Sequence, residues 1–374
     1  MPCTTPPKLE AARQAAQLAF AAGREDIEVG DAGALPWPLD LLAGRDAGSL
    51  PEQRRFDNGL SAVVYRLRGQ THDWTLKRAR AQPLVHNVDG RTSFLNEVQR
   101  RRDIEALKRR PGEARRWAGL VDTQYAAYRA GVILSPWIEG EPVCDWDERR
   151  LQQLFDTVCD LWTEGLFEWD LCPGNVLDDG RQLQLFDFGY QYRFDPLRQF
   201  NSAGQGNDQP LFHPVERFET RNFSGWLLDI ETSQGAAAAL DAFRLEKQLA
   251  LAAYERMRSE IAARGASAEV LEWLQGIVRR WRQGLADGGG ETLYLAEVWR
   301  SHALDLADDL HGQSCTAGTL RRVDRLLHSI EQDFKALQRS GALFWGDESL
   351  SRGELRTRYQ AKRELALSFQ RTPG

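Results

Sequence analysis

Nowhere in this chain does an apolar run approach the ~20 residues that a bilayer-spanning helix needs. The first twenty residues lack a basic start followed by an apolar block and a small-residue cleavage site. No Sec signal peptide is therefore expected, and the expected location is cytoplasmic, with export by another route left open. Cysteine is scarce: five residues, Cys3, Cys144, Cys159, Cys172 and Cys315, form no C-x-x-C pair, and the six histidines do not cluster at ligand spacing. That pattern argues against a structural zinc site or a disulfide framework and for a reducing compartment. A basic excess is missing too, since the formal net charge is −6, which weighs against nucleic acid as the main partner. Repeats and low-complexity tracts are absent. What remains is an ordinary globular composition, 42% hydrophobic and 27% charged, in 374 residues. That length accommodates one large domain or two smaller ones.

The most informative stretch is residues 166–190, LFEWDLCPGNVLDDGRQLQLFDFGY. Asp170 and Asn175 flank Pro173 and Gly174, which are turn formers. Val176 and Leu177 begin a short apolar run, Asp178, Asp179 and Gly180 read as a hairpin turn, and Leu183, Leu185 and Phe186 make a second run ending at Asp187. The pattern predicts a β-hairpin whose ends present Asp170, Asn175 and Asp187 to one side. Two oxygen ligands at neighbouring strand ends, with a separate carboxylate, suit Mg²⁺ and a proton acceptor. Cys172 reads as a small filler of this loop rather than a reactive thiol.

This stretch resembles the catalytic core of the protein-kinase-like superfamily, whose catalytic loop H-R-D-L-x-x-x-N is followed by D-F-G. The resemblance implies that Asp170 orients or deprotonates an attacking hydroxyl while Asn175 and Asp187 hold Mg²⁺ on the phosphates of ATP. Two departures stand out: Glu168-Trp169 replaces His-Arg, and Cys172 stands where Ser/Thr kinases usually carry Lys. The phrase from Asp170 to Asn175 is closer to the aminoglycoside and choline kinases, whereas Asp187-Phe188-Gly189 is closer to protein kinases.

Upstream, residues 56–68 alternate as paired strands. In the run 57–64 only the middle glycine of the kinase glycine loop survives, as Gly59, whose plain reading is a turn glycine. A turn at 69–73 leads into a strand carrying Lys77, which the resemblance places on the α- and β-phosphates. Residues 92–107 predict an exposed amphipathic helix. On it Glu97, twenty residues beyond Lys77, is the glutamate that the resemblance pairs with the strand lysine. Arg100, Arg101, Arg102, Lys108, Arg109, Arg110, Arg115 and Arg116 read as a basic patch, either a solvated face or a dock for an anionic segment. Residues 117–121 and 131–137 read as two more strands, giving five strands around one helix. Residues 136–140 resemble the hinge of the family, which implies that Trp137 packs beside adenine; its plain reading is a core tryptophan.

Residues 148–166 predict a helix, with Leu151, Leu154, Phe155, Val158, Cys159 and Trp162 on one face and Gly165 ending it. A polar Gly/Asn/Gln-rich segment runs to Pro210. The run from His213 to Glu216 resembles, thinly, the Ala-Pro-Glu that closes a kinase activation segment, and Glu216 reads equally well as a surface residue. From Ala236 the chain reads as helices, with stripes at Leu271, Leu274, Val278, Trp281 and Leu285 and at Leu320, Val323, Leu327, Ile330, Phe334 and Leu337.

The expected fold is α+β: a two-lobed protein-kinase-like arrangement with a small antiparallel sheet lobe carrying one helix and a large, mainly helical lobe. Expected boundaries are an N-terminal extension over 1–50, the first lobe over 51–137, and the second over 138–374 with a helical elaboration from about 235. The expected activity is ATP- and Mg²⁺-dependent transfer of phosphate to a hydroxyl, leaning to a protein Ser/Thr acceptor. The alternatives are a small hydroxylated substrate, as for aminoglycoside and choline kinases, a catalytically weak nucleotide-binding scaffold, and nucleotidyl transfer. The sequence leaves the oligomeric state open.

Overall fold

The computed structural model describes residues 8–45, 49–57, 59–203, 212–286 and 290–370. Cys3, the polar residues 204–210, Gly288 and Gly289 lie outside them. The chain divides into two compact units. The first comprises residues 1–144, 156–170 and 174–210, and the second 145–155, 171–173 and 211–374.

The first unit is α+β. Its elements run α1 (Lys8–Ala22), β1 (Glu28–Gly30), α2 (Leu39–Leu42), β2 (Glu52–Phe56), β3 (Ala62–Leu67), β4 (Trp74–Ala79), α3 (Val88–Lys108), β5 (Tyr125–Ala127) and β6 (Val132–Pro136). The β-branched run of β3 and the alternating β4 favour extended backbone. The six strands form one antiparallel sheet in the order β1-β5-β6-β4-β3-β2. Alternation sorts its side chains into two cores. On one face Val29, Ala62, Ala126 and Ile133 pack against Phe94, Leu95 and Val98 of α3. On the other, Leu67, Leu76, Tyr125, Val132 and Leu134 enclose Leu42 of α2, with Leu35, Trp37 and Leu50 around it. Residues before 50 thus supply an edge strand and part of the cover of both faces. Burying Leu42 alone is worth about 2 kcal/mol by its apolar area.

Two expectations fail here. Residues 117–121 are not a strand but a series of turns, with a single bridged pair, Leu120 and Leu185, among the described residues. Trp117, Leu120 and Val121 are buried, so their apolarity reflects a covered turn, which a short run cannot tell from a strand. The helix α3, begun by the Asn87 side chain accepting the Gly90 N–H (2.7 Å), is not an exposed amphipathic helix. It buries Asn96, Glu97, Arg100, Arg101 and Asp103 along with its apolar residues.

The unit continues through β7 (Glu141–Pro142), α4 (Glu148–Thr163), β8 (Leu166–Glu168), β9 (Val176–Asp178), β10 (Leu183–Leu185) and β11 (Gln191–Arg193). The division between units falls within α4. Gly165, with φ +76°, turns the chain from α4 into β8, a conformation that glycine adopts without strain.

The described part of the second unit is helical: α5 (Pro214–Phe218), a π-helical turn at Glu219–Phe223, α6 (Ser224–Gln234), α7 (Ala236–Ala263), α8 (Ala268–Ala286), α9 (Glu291–Gly312), α10 (Ala317–Arg339) and α11 (Arg352–Ser368). Capping boxes at Thr316/Thr319 and Ser351/Glu354 start α10 and α11. Both predicted stripes lie in the core: Leu274, Val278 and Trp281 are buried on α8. Val323, Ile330 and Leu337 of α10 join Trp299, Leu306 and Tyr359 in one cluster.

Glu216 is buried rather than at the surface. Its N–H donates to Nδ1 of His213 (3.2 Å), which also meets the Tyr254 hydroxyl (2.8 Å), so Nδ1 carries no proton. Burial pushes Glu216 up to about 7, against the opposing charge of Arg217. Because the folded state binds the extra proton, this group stabilises below about pH 4.5, and the contribution fades as pH rises through 7. Glu216→Gln should therefore remove about 3 kcal/mol of pH dependence between those limits, read from urea unfolding at each pH. Parallel curves for variant and parent would contradict it.

Candidate functional site

The site grows from β4. Lys77 pairs in register with Val64 on one side and Ile133 on the other, which sets its side chain on the face that packs against α3. There its Nζ donates to Glu97 Oε1 at 2.8 Å and to Asp187 Oδ2 at 3.0 Å. Lys77 is 5% exposed and Glu97 1%, whereas the Asp187 side chain is 39% exposed. Burial alone would lower the lysine, but Asp187 and Glu97 hold it above its ordinary value, so it stays an ammonium. Burial alone would likewise raise Asp187; the Lys77 charge, its hydrogen bond and the Gly189 N–H hold the carboxyl below its ordinary value. Lys77, Glu97 and Asp187 are thus brought together from positions 20 and 110 residues apart.

A fourth member was not legible as such. Arg101, one helical turn past Glu97, donates through Nε (3.1 Å) and Nη2 (2.9 Å) to the same Glu97 oxygen. It also reaches Ser135 Oγ of β6 (2.9 Å) and the Phe186 carbonyl (3.0 Å). Two cations and two carboxylates balance within this cluster, which offsets the desolvation of each. The expected basic patch is divided: Arg102, Arg109, Arg110 and Arg115 are exposed, as a solvated face requires, and the others are not. Arg100 and Arg101 are buried, Lys108 pairs with Asp122, Arg110 with Glu164 and Arg116 with Asp160.

The second half of the site is the hairpin. β9 and β10 pair antiparallel with Val176 opposite Leu185, so Asn175 and Asp187 flank the same end. The turn is tied by Asp178 Oδ1 accepting from Gly180 N–H and by Asp179 Oδ1 accepting from Arg181 and Gln182. Beside it β8 pairs with β11, Glu168 opposite Gln191, which brings the segment leading to Asp170 alongside the one that follows Asp187. Asn175 Nδ2 donates to the Asp170 carbonyl at 2.9 Å and lies 3.4 Å from its carboxylate. With the amide nitrogen so used, the Asn175 oxygen is turned away from Asp170.

The two departures from the kinase loop have defined partners. Glu168 is buried; its Oε1 accepts the Asp170 N–H (2.9 Å) and its Oε2 the Gln191 amide (3.3 Å). Burial, with the charges of Asp170 and Asp187 nearby, raises it well above its ordinary value, against the hydrogen bonds from the Asp170 N–H and Gln191. Trp169 donates from its ring N–H to Ser202 Oγ (2.8 Å).

Two other sequence-predicted residues sit apart from this cluster. Trp137 follows Pro136, the register partner of Trp74, at the other end of the β4 pairing. It stacks on Phe56 (ring centroids 6.1 Å) and under the Arg66 guanidinium (4.5 Å). Gly59 lies in the β2–β3 loop, where an added Cβ would meet the Ala62 carbonyl at 2.4 Å, and its own carbonyl accepts from Arg80 Nε (2.9 Å).

Asn and Asp oxygens are the ligand type a hard divalent cation takes, and Asp187 is open enough to be reached. Among the described residues, no group of three or more His, Cys, Asp or Glu side chains could hold a metal ion. One amide and one carboxylate oxygen at the same end of the hairpin are donor types that suit a divalent cation whose other ligands come from substrate phosphates and water. Among the described residues no helix is long and apolar enough to cross a membrane, and Cys144, Cys159, Cys172 and Cys315 are free thiols.

No family model matches the chain, and no curated protein does. One solved structure that matches is that of the bifunctional kinase-methyltransferase WbdD, at 15% identity with a TM-score of 0.31. The match covers 58% of this chain and 52% of that one, so this chain spans about half of that protein's length. A likeness at this level carries no argument for fold or activity.

Proposed function

We propose that the protein is an ATP- and Mg²⁺-dependent phosphotransferase with a two-lobed protein-kinase-like fold, acting on a hydroxyl of a protein substrate. The observation that carries this reading is the Lys77 ammonium bonded at once to Glu97 and Asp187. A buried lysine fixed by one carboxylate and shared with a second, more open one is suited to receive phosphate oxygens.

Bound Mg²⁺ would supply neutralisation of phosphate charge. The chain's own groups do the rest. Lys77, kept protonated, meets the α- and β-phosphates. Asp170 accepts the proton of the acceptor hydroxyl as its oxygen bonds to the γ-phosphorus and the bond to the β-phosphate oxygen breaks, releasing ADP. Asn175 fixes the Asp170 loop from its backbone carbonyl. Glu168 anchors the Asp170 N–H and so fixes the backbone that carries the proton acceptor.

Incubation with ATP and Mg²⁺ should give autophosphorylation or transfer to a lysate protein. Asp170→Ala should lower turnover about 100-fold or more with nucleotide affinity little changed, measured by phosphate transfer and by binding. Normal transfer by this variant would remove Asp170 from its role. A second reading, a nucleotide-binding scaffold, is favoured by the β2–β3 loop, where Gly59 stands alone and its carbonyl is already engaged by Arg80. Thermal stabilisation by Mg²⁺-ATP without turnover would select it. Label appearing in metabolites rather than proteins would instead select a small-molecule acceptor.

A further inference from the structure

Helix α1 is Ala-rich, yet the one side chain it buries fully is Gln17. Phe20 and Ala21 at its end pack, half-buried, against the α3 face of the sheet, but the side chain that α1 buries most is an amide. Gln17 Nε2 donates to Asn96 Oδ1 at 3.1 Å, and Gln17 Oε1 accepts from the Thr92 hydroxyl at 2.9 Å. Asn96, 1% exposed and next to Glu97 on α3, turns its Nδ2 to three carbonyls: Phe188 (3.2 Å), Gly189 (3.0 Å) and Gln191 (2.7 Å). Carbonyls only accept, so their position fixes the amide with nitrogen towards them and oxygen towards Gln17. Two N–H groups shared among three carbonyls bind the backbone that follows Asp187 to α3. Arg13 braces the same docking, paired with Asp89 (2.7 Å) and lying over the Tyr192 ring (3.7 Å).

We infer that α1 is a positioning element for Asp187, acting through the chain Gln17–Asn96 on the backbone of residues 188–191. This rests on the reading of Asp187 as a metal ligand. Gln17 satisfies the acceptor of Asn96 and so holds the amide in the one orientation that clamps the turn. Without that donor, the Asn96 oxygen is buried and unpaired, and the clamp competes with a rotated amide.

The test compares the full-length parent with Gln17→Met, which keeps volume but loses the amide, and with Gln14→Ala. Gln14 sits on the same helix and donates to Asp89 (3.2 Å), with no bond to Asn96. Backbone hydrogen exchange at Gly189 and Gln191 should quicken at least fivefold in Gln17→Met and stay within twofold of the parent in Gln14→Ala. Half-saturating Mg²⁺ for phosphate transfer should rise at least threefold in Gln17→Met, with metal-free nucleotide binding within twofold. Unchanged exchange in Gln17→Met overturns the inference, whatever the activity. So does an equal effect of Gln14→Ala, which would mean general loosening of the helix. Faster exchange with an unmoved Mg²⁺ requirement overturns the positioning role. A parent that transfers no phosphate would defeat the phosphotransferase reading, and exchange with Mg²⁺-dependent nucleotide binding would then decide the chain on their own.

Discussion

Asp187→Asn is expected to lower Mg²⁺-dependent phosphate transfer by about 1000-fold or more while leaving the fold intact. The change removes one charge but almost no volume. The carboxylate is the most exposed of the three groups on Lys77's ion-pair chain, so its loss leaves no buried cavity and no stranded buried anion. Lys77 keeps its shorter bond to Glu97, and Gly189 N–H still finds an oxygen at position 187. What disappears is the negative ligand of the cation and the charge that helps hold the lysine in place, both of which matter most as charge spreads over phosphate oxygens. Stability should fall by about 1–3 kcal/mol, since the buried Lys77 ammonium loses one of the two carboxylates that hold it charged while the fold's apolar core is untouched. Transfer within tenfold of the parent at saturating Mg²⁺ would exclude residue 187 as the metal ligand.

Arg101→Met should have the opposite signature, a large loss of stability. Its guanidinium supplies two of the three donors on the Glu97 oxygen and also serves Ser135 and the Phe186 carbonyl. Methionine fills much of the space and supplies none of them. Glu97, 1% exposed, would face burial with Lys77 as its remaining cation. Breaking such a buried pair costs about 3–5 kcal/mol, against less than about 0.5 for the exposed neighbour Arg102→Met. Chemical denaturation of both variants decides it: equal midpoints would mean that the Arg101 cluster does not hold α3 to the sheet.

The legible and illegible parts of the molecule differ in a consistent physical way. The hairpin over 176–185 and the late helical stripes were readable because alternation and 3.6-residue spacing reflect apolar burial. The strand bearing Lys77 and the helix bearing Glu97 emerged from the same patterns, and their meeting matches what the kinase resemblance implied. Polar burial writes no such pattern. Arg101 read as one charge in a basic run and Glu216 equally as a surface residue, and nothing marked Gln17, yet each is covered and bonded. An i,i+4 Glu97/Arg101 pair was the available hint for the first. Strands of three residues, β1 and β5, are too short to show a period and depend on partners far along the chain.

That last dependence has a consequence for synthesis. Val29 lies opposite Ala126, so β1 has no strand neighbour until about a hundred more residues have been made. At 5–20 residues per second the wait for β5 is about 5–20 s, whereas Leu42 waits less, for Leu67 and Leu76 of β3 and β4. A chain halted near residue 120 therefore presents β1 as an unpaired strand edge, the kind of surface that invites aggregation or a chaperone.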